Sequence, residues 1–149
     1  MSASGATGDK TPHQVRRFSS GTAWEPVVGY SRAVAAGDFV YVSGCTSVDG
    51  AEFVHSGDAH AQTAQAISNA AEGLAGLGAS LSDVVRTRMY VTDISRWQEY
   101  GRAHSEAFGT VRPATTMIEV ARLIEPGMLI EIEVVAYRPG IGRSAVGNG

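Results

Sequence analysis

The sequence predicts one α+β domain, a six-stranded mixed sheet carrying two helices on one face. Three observations lead there. Residues 112–121 and 129–138 alternate apolar and polar side chains with period two and are rich in β-branched residues, the mark of strands with two unlike faces. Residues 58–77 and 93–109 repeat apolar residues at helical spacing. The elements follow one another as β-ββ-α-β-α-ββ, an order that leaves one face of the sheet without helices.

Taken in order, residues 1–14 (MSASGATGDKTPHQ) are small and polar and read as a disordered tail. Residues 15–19 form a short first strand, and residues 20–29 a loop. Tyr30–Ala36 and Phe39–Cys45 read as two strands turning at Gly37-Asp38. Residues 46–57 read as a loop that turns at Asp49-Gly50. The first helix begins at Asp58, an N-cap residue, and runs to Leu77; Ala64, Ile67, Ala71 and Leu74 mark its buried face, with Gln62, Gln65, Asn69 and Glu72 largely elsewhere.

In the next strand, residues 82–92, Val85, Thr87, Met89 and Val91 share one face and Arg86, Arg88 and Tyr90 the other. The second helix carries Ile94, Trp97, Tyr100 or Gly101, His104 and Phe108 as its stripe. The two C-terminal strands read as a hairpin joined by a turn at Pro126-Gly127. The domain is assigned to residues 15–139, and residues 140–149 to a flexible tail.

Composition bounds the function. The chain of 149 residues is 44% apolar and 18% charged, enough for one domain with a sizeable core. Its net charge of −3 and lack of a basic stripe give no support for a nucleic-acid partner. No apolar run approaches the roughly 20 residues needed to span a bilayer, and the N-terminus has no apolar signal core, so a cytoplasmic protein with no membrane role is expected. The one cysteine, Cys45, excludes an internal disulfide. His13, His55 and His60 have no metal-ligand spacing, and Ser43 has no identifiable His/Asp pair.

The final strand carries the sharpest signal. Leu129, Glu131 and Glu133 share one face, and Thr115, Met117 and Glu119 share a face of the preceding strand. A carboxylate on an apolar face is costly unless it is paired or hydrogen-bonded. Each acid therefore lies on a wet face, is a structural partner of an arginine such as Arg86, Arg88 or Arg122, or is a general acid or base lining a cleft.

PATTMIEVARL followed by LIEIEVVAYR resembles the C-terminal signature of the RidA family (YjgF, reactive-intermediate deaminase, also called endoribonuclease L-PSP), and the likeness covers about residues 15–139. The resemblance implies a chorismate-mutase-like fold, a homotrimer with clefts between subunits, and hydrolysis of 2-imino or enamine acids. No cofactor and no metal are implied, because an iminium carbon is already electrophilic. The family tyrosine falls on Tyr30, the Ser-Gly step on Ser43-Gly44 with Cys45 after it, and the glutamate that handles water or ammonia on Glu131. The residue two after the family arginine falls on Met117.

The arginine that grips the substrate carboxylate is replaced by Thr115, and the asparagine of the second helix is absent near Gly101. Threonine supplies neither a charge nor a bidentate fork. The resemblance thus implies an imine or enamine deaminase with an unusual substrate, in which Glu131 is catalytic and Tyr30, Ser43, Gly44, Cys45, Thr115 and Met117 bind a small metabolite. Another arginine, Arg32, Arg88 or Arg122, is a candidate to enter the cleft. The alternative reading is a silent metabolite-binding or regulatory trimer. An endoribonuclease, the family's older name, fits the acidic balance least.

Overall fold

The computed structural model describes residues 15–143. The tail assigned to residues 1–14, and residues 144–149 of the C-terminal one, lie outside the described residues. The elements are β1 (Val15–Phe18), α1 (Trp24–Val28), β2 (Ala33–Ala36), β3 (Phe39–Cys45), β4 (Val48–Asp49), β5 (Glu52–Phe53), α2 (Ala59–Ala75), β6 (Val84–Val91), α3 (Trp97–Phe108), β7 (Ala114–Glu119) and β8 (Ile130–Tyr137). Six strands form one mixed sheet in the order β1-β2-β3-β8-β6-β7. All neighbours are antiparallel except β6 and β7, which are parallel.

That order corrects the expected C-terminal hairpin. β7 and β8 do not pair with each other; β6 lies between them. Their ten-residue connection is too long for a tight turn, and Gln62 of α2 pins it. The Gln62 side chain is wholly buried; its Nε2 donates to the carbonyls of His55 (3.1 Å) and Gly127 (3.0 Å), and its Oε1 accepts from Leu129 N (2.8 Å). A buried amide with three partners is satisfied, so this polar residue belongs on the inner face of α2.

The helix is accordingly rotated from the expected stripe. Gln62, Thr63, Ala66, Ile67, Ala70, Gly73 and Leu74 are buried, whereas Ala64 is exposed and Ala71 partly so. Ala66, Ala70 and Gly73 on that face let α2 lie close on β3 and β8. At Gly76, just past the helix, a Cβ would collide with the ring of Phe18, so this residue must be small for the turn to seat on β1. Asp58 is the N-cap as expected, accepting from Ala61 N at 3.0 Å.

The core lies between α2, α3 and one face of the sheet. Leu74, Ile130 and Ile132 are wholly inaccessible, and each contributes roughly 1.5–3 kcal/mol by leaving water. Val40, Val42, Met89, Val91 and Val134 complete the sheet side. In α3, Tyr100, Ala103 and Phe108 are buried, while Trp97 and Ile94 of the expected stripe are exposed. On β6 the register shifts between Val84 and Arg86, so Val84 is buried and Val85 turns outward, against the simple alternation.

Three further corrections are local. Residues 20–29 contain the short helix α1. Residues 46–57 contain the small β4–β5 hairpin, whose backbone is satisfied by Asn69 Nδ2 donating to the carbonyls of Thr46 (3.0 Å) and Val48 (2.7 Å). Residues 140–143 pack on the domain instead of leaving it: Arg16 Nη1 donates to Ile141 O at 2.9 Å, Gly142 N donates to Gly37 O at 2.8 Å, and Ile141 is buried. Among the described residues, no helix is long and apolar enough to cross a membrane.

The face without helices is partly apolar. Phe39, Tyr41 and Tyr137 are exposed there, their rings 5.3–6.4 Å apart between centroids along β3 and β8.

Candidate active site

The site residues fall into two groups. The first gathers where β3 meets β8. Val42 pairs with Val134 but Cys45 with Ile132, so one extra residue is inserted at Ser43-Gly44. This bulge re-aims the backbone beside Glu131. A Cβ built at Gly44 would lie 2.6 Å from Glu131 Oε1 and 2.7 Å from its Cδ. Only glycine leaves room for the carboxyl to lie across the strand.

Glu131 is half-buried and forms no hydrogen bond or ion pair to another of the described residues. Burial pushes its pKa up, the neighbouring Glu133 charge adds to the rise, and Arg32 pulls it partly back. Glu133 differs: it accepts from Tyr90 Oη at 2.8 Å and pairs with Arg88 at 3.3 Å. Its bond makes the Tyr90 phenol harder to ionise. Glu119 accepts from Ile94 N at 3.1 Å, capping the turn after β6. The acids of the strands thus part into two structural ones and one without a partner.

Arg32 is the charged centre of this group. Its Nη1 donates to Gly44 O (2.9 Å) and Cys45 Sγ (3.3 Å), its Nη2 reaches Tyr30 Oη (3.4 Å), and its guanidinium lies 5.7 Å from the centre of the Tyr30 ring. Of the three arginines named from the sequence, Arg32 comes beside the Ser-Gly step, and Arg88 is held by Glu133. Cys45 is buried, and its thiol donates to Ser43 O at 3.2 Å. Burial raises the thiol pKa, and the Arg32 charge offsets only part of that, which does not favour a nucleophilic thiolate. Ser43 Oγ donates to Ser31 O at 2.7 Å, which commits its proton to the scaffold. Tyr30 and Ser43 line an open depression with Arg17, Glu25, Ser31 and Val34; Glu131 does not form part of its wall.

Glu25, which sequence reading missed, holds this wall in place. It is buried, and its carboxylate accepts from Ser20 N (3.1 Å), Ser20 Oγ (2.6 Å), Thr22 Oγ1 (3.1 Å) and Arg32 N (3.2 Å). Burial works against its charge, but hydrogen bonds from Ser20, Ser19, Thr22 and Arg32 outweigh burial and lower its pKa to about 2. The run Ser19-Ser20-x-Thr22 was the available signal: hydroxyls clustered ahead of an acid.

The second group lies on β7. Thr115 and Met117 pair with Thr87 and Met89 of β6 and face the helix side of the sheet. Thr115 Oγ1 is 2.8 Å from Thr87 Oγ1, which is 2.9 Å from His104 Nε2. His104 belongs to a polar chain and is not the plain packing residue that its place on the stripe suggested. Burial lowers its pKa.

Within one chain the groups do not meet. One strand, β6, lies between β8, which carries Glu131, and β7, which carries Thr115, about 10 Å at the usual strand spacing, and Glu131 and Thr115 point to opposite faces. Among the described residues, no three His, Cys, Asp or Glu are grouped to hold a metal ion.

This is an α+β sheet protein with a half-buried carboxylate, unpaired among the described residues, over a glycine bulge. The chain belongs to the RidA (YjgF) family: residues 20–138 match the family model described as Endoribonuclease L-PSP. A crystal structure of a member of the YjgF/YER057c/UK114 family from Mycobacterium tuberculosis is 50% identical and covers 83% of this chain and 98% of its own, with a TM-score of 0.76. An uncharacterised protein of Streptomyces coelicolor is 40% identical over 131 residues, 88% of this chain and 98% of the relative. The 3-aminoacrylate deaminase RutC of Acinetobacter baylyi is 34% identical over 113 residues, 75% of this chain and 89% of that protein.

Proposed function

We propose that this protein hydrolyses a C=N or enamine metabolite and releases ammonia, with Glu131 as the acid/base. The observation that carries the reading is the Glu131 carboxyl: half-buried, without a partner among the described residues, raised in pKa, and kept over Gly44 beside Arg32. A carboxylate whose pKa is raised is a better base toward water and, once protonated, can return the proton. Protonation of the enamine carbon first gives the iminium. Water then adds to the iminium carbon while Glu131 takes its proton, giving a neutral carbinolamine. The carboxyl returns that proton to nitrogen, and the C–N bond breaks as the Glu131 carboxylate takes the hydroxyl proton, so ammonia and a carbonyl product leave. Tyr30, Arg32 and the Ser43-Gly44 step shape one wall.

The reading extends to assembly. Glu131 and Thr115 are too far apart in one chain to share a substrate, and the exposed rings of Phe39, Tyr41 and Tyr137 favour a covered face. A homotrimer with the two groups brought together in clefts between copies supplies both needs. A cytoplasmic location agrees with this chemistry. The deaminase name of the Acinetobacter relative supports the reaction class. Thr115 in place of arginine points away from the usual small 2-imino acids, and it is also the observation that favours a silent metabolite-binding trimer.

The test is ammonia release from 2-iminopropionate, 2-iminobutyrate and 3-aminoacrylate generated in situ, with wild type, Glu131→Ala and Thr115→Arg. Acceleration of at least one substrate that falls by about 10²-fold or more in Glu131→Ala supports the reaction. A wild type that accelerates none, while Thr115→Arg does, turns the assignment to the binding protein.

A further inference from the structure

The hydrogen-bond chain under β7 has a direction. Thr87 is wholly buried, and its hydroxyl has two neighbours, His104 Nε2 at 2.9 Å and Thr115 Oγ1 at 2.8 Å. Thr115 Oγ1 donates in turn to the carbonyl of Pro113 at 3.1 Å. A carbonyl only accepts, and a hydroxyl has one proton to give. With its proton on Pro113, Thr115 must accept from Thr87. Thr87 has then given its own proton, so it accepts from His104, whose Nε2 carries hydrogen. The Phe108 ring, 4.7 Å from the imidazole between centroids, buttresses the ring.

The consequence lies at the outer end. Thr115 is exposed, and its oxygen has two lone pairs, one of which Thr87 fills. What it offers a ligand is an acceptor. While the Thr115 proton stays on Pro113, a carboxylate oxygen placed there meets lone pair against lone pair. The guanidinium of Arg86, which bonds the Thr116 hydroxyl at 3.0 Å, lies across the sheet, because adjacent strand residues face opposite ways. From this geometry we infer that Thr115, polarised by Thr87 and His104, is a specificity-determining residue that selects a substrate carrying an N–H donor, a carboxamide or an ammonium group, over a carboxylate. The inference rests on Thr115 being part of the proposed site; Thr87 and His104 are positioning residues.

Two measurements on the assembled full chain test it. In 15N spectra of histidine-labelled protein, His104 shows a neutral ring with hydrogen on Nε2; hydrogen on Nδ1 overturns the inference. In NMR titrations, 2-oxobutanamide binds at least ~10-fold more tightly than 2-oxobutanoate, about 1.4 kcal/mol, and shifts β7 resonances. Thr115→Val removes that preference while its folded spectrum is kept. Equal or tighter binding of 2-oxobutanoate, or no shift with either ligand, overturns the inference. Binding is read without turnover, so a protein that discriminates but releases no ammonia contradicts only the hydrolytic reading.

Discussion

The carboxyl of Glu131 occupies the space that a side chain at residue 44 would need: a Cβ on Gly44 would lie 2.6 Å from Oε1 and 2.9 Å from Cγ. The colliding group is the far end of a flexible side chain. Gly44→Ala should therefore cost little stability and move the carboxyl instead. The expected result is a folded protein with ammonia release reduced by about 10- to 100-fold, since misplacing a catalytic group by about 1 Å has that scale of effect. Thermal melts and rates measured side by side check it; an unchanged rate would remove Glu131 from the chemistry.

Glu131 also sets a pH dependence of stability. Its pKa in the folded protein lies above the ordinary 4.5, chiefly through burial, so the folded protein holds this proton more tightly than the unfolded chain does. Its stabilising contribution is complete below 4.5 and is lost as pH rises through the raised value. Glu131→Gln should therefore raise the melting temperature at neutral pH and leave it nearly unchanged near pH 4. Denaturation curves of both proteins from pH 4 to 8 show this as a gap that widens with pH.

Glu25 has the opposite sign. Its pKa of about 2 lies below 4.5, so its contribution is present above 4.5 and is lost as pH falls toward about 2. Glu25→Gln removes charge-assisted acceptors from Ser20, Thr22 and Arg32 N, each on the order of 1.5–3 kcal/mol when its partner is left unsatisfied. The variant should lose about 2–3 kcal/mol at pH 7 and become less sensitive to acid. Because Arg32 and Tyr30 follow this loop, its rate should also fall. Chemical denaturation at pH 7 and pH 3 checks the stability difference.

Much of this was legible from the residues and their order. Period-two alternation located β3, β7 and β8, and Asp58 announced α2, because local propensity and capping act within a few residues. The partner of each strand was not legible. β7 and β8 look like a hairpin in sequence, but β6 inserts between them, a choice made by helix packing and by Gln62 gripping Gly127 and Leu129. The stripe of α2 was misplaced for the same reason: a buried, fully bonded Gln62 looks polar in sequence and behaves as core. For the site, Glu131, Ser43-Gly44 and Tyr30 stood out through the family motif. The bulge over Gly44, the Glu25 network and the polarity of the Thr115 chain depend on contacts across sequence separations that no local pattern encodes.

The proposed sharing of the site between two copies makes a further prediction. Glu131→Gln should lack the reacting carboxylate, and Thr115→Trp should block the other wall of the cleft. Each variant alone should be inactive. Unfolded together in equal amounts and refolded, they form mixed assemblies in which some clefts combine Glu131 from one copy with Thr115 from another.

That mixing experiment, read as ammonia release, tests the central claim most directly. Random assembly of a symmetric oligomer gives an intact cleft with a frequency of about one half times one half, so the mixture should recover about a quarter of the wild-type rate. A mixture no more active than either parent, alongside active wild type refolded in the same way, would contradict the shared site and return both groups to separate roles in a single chain.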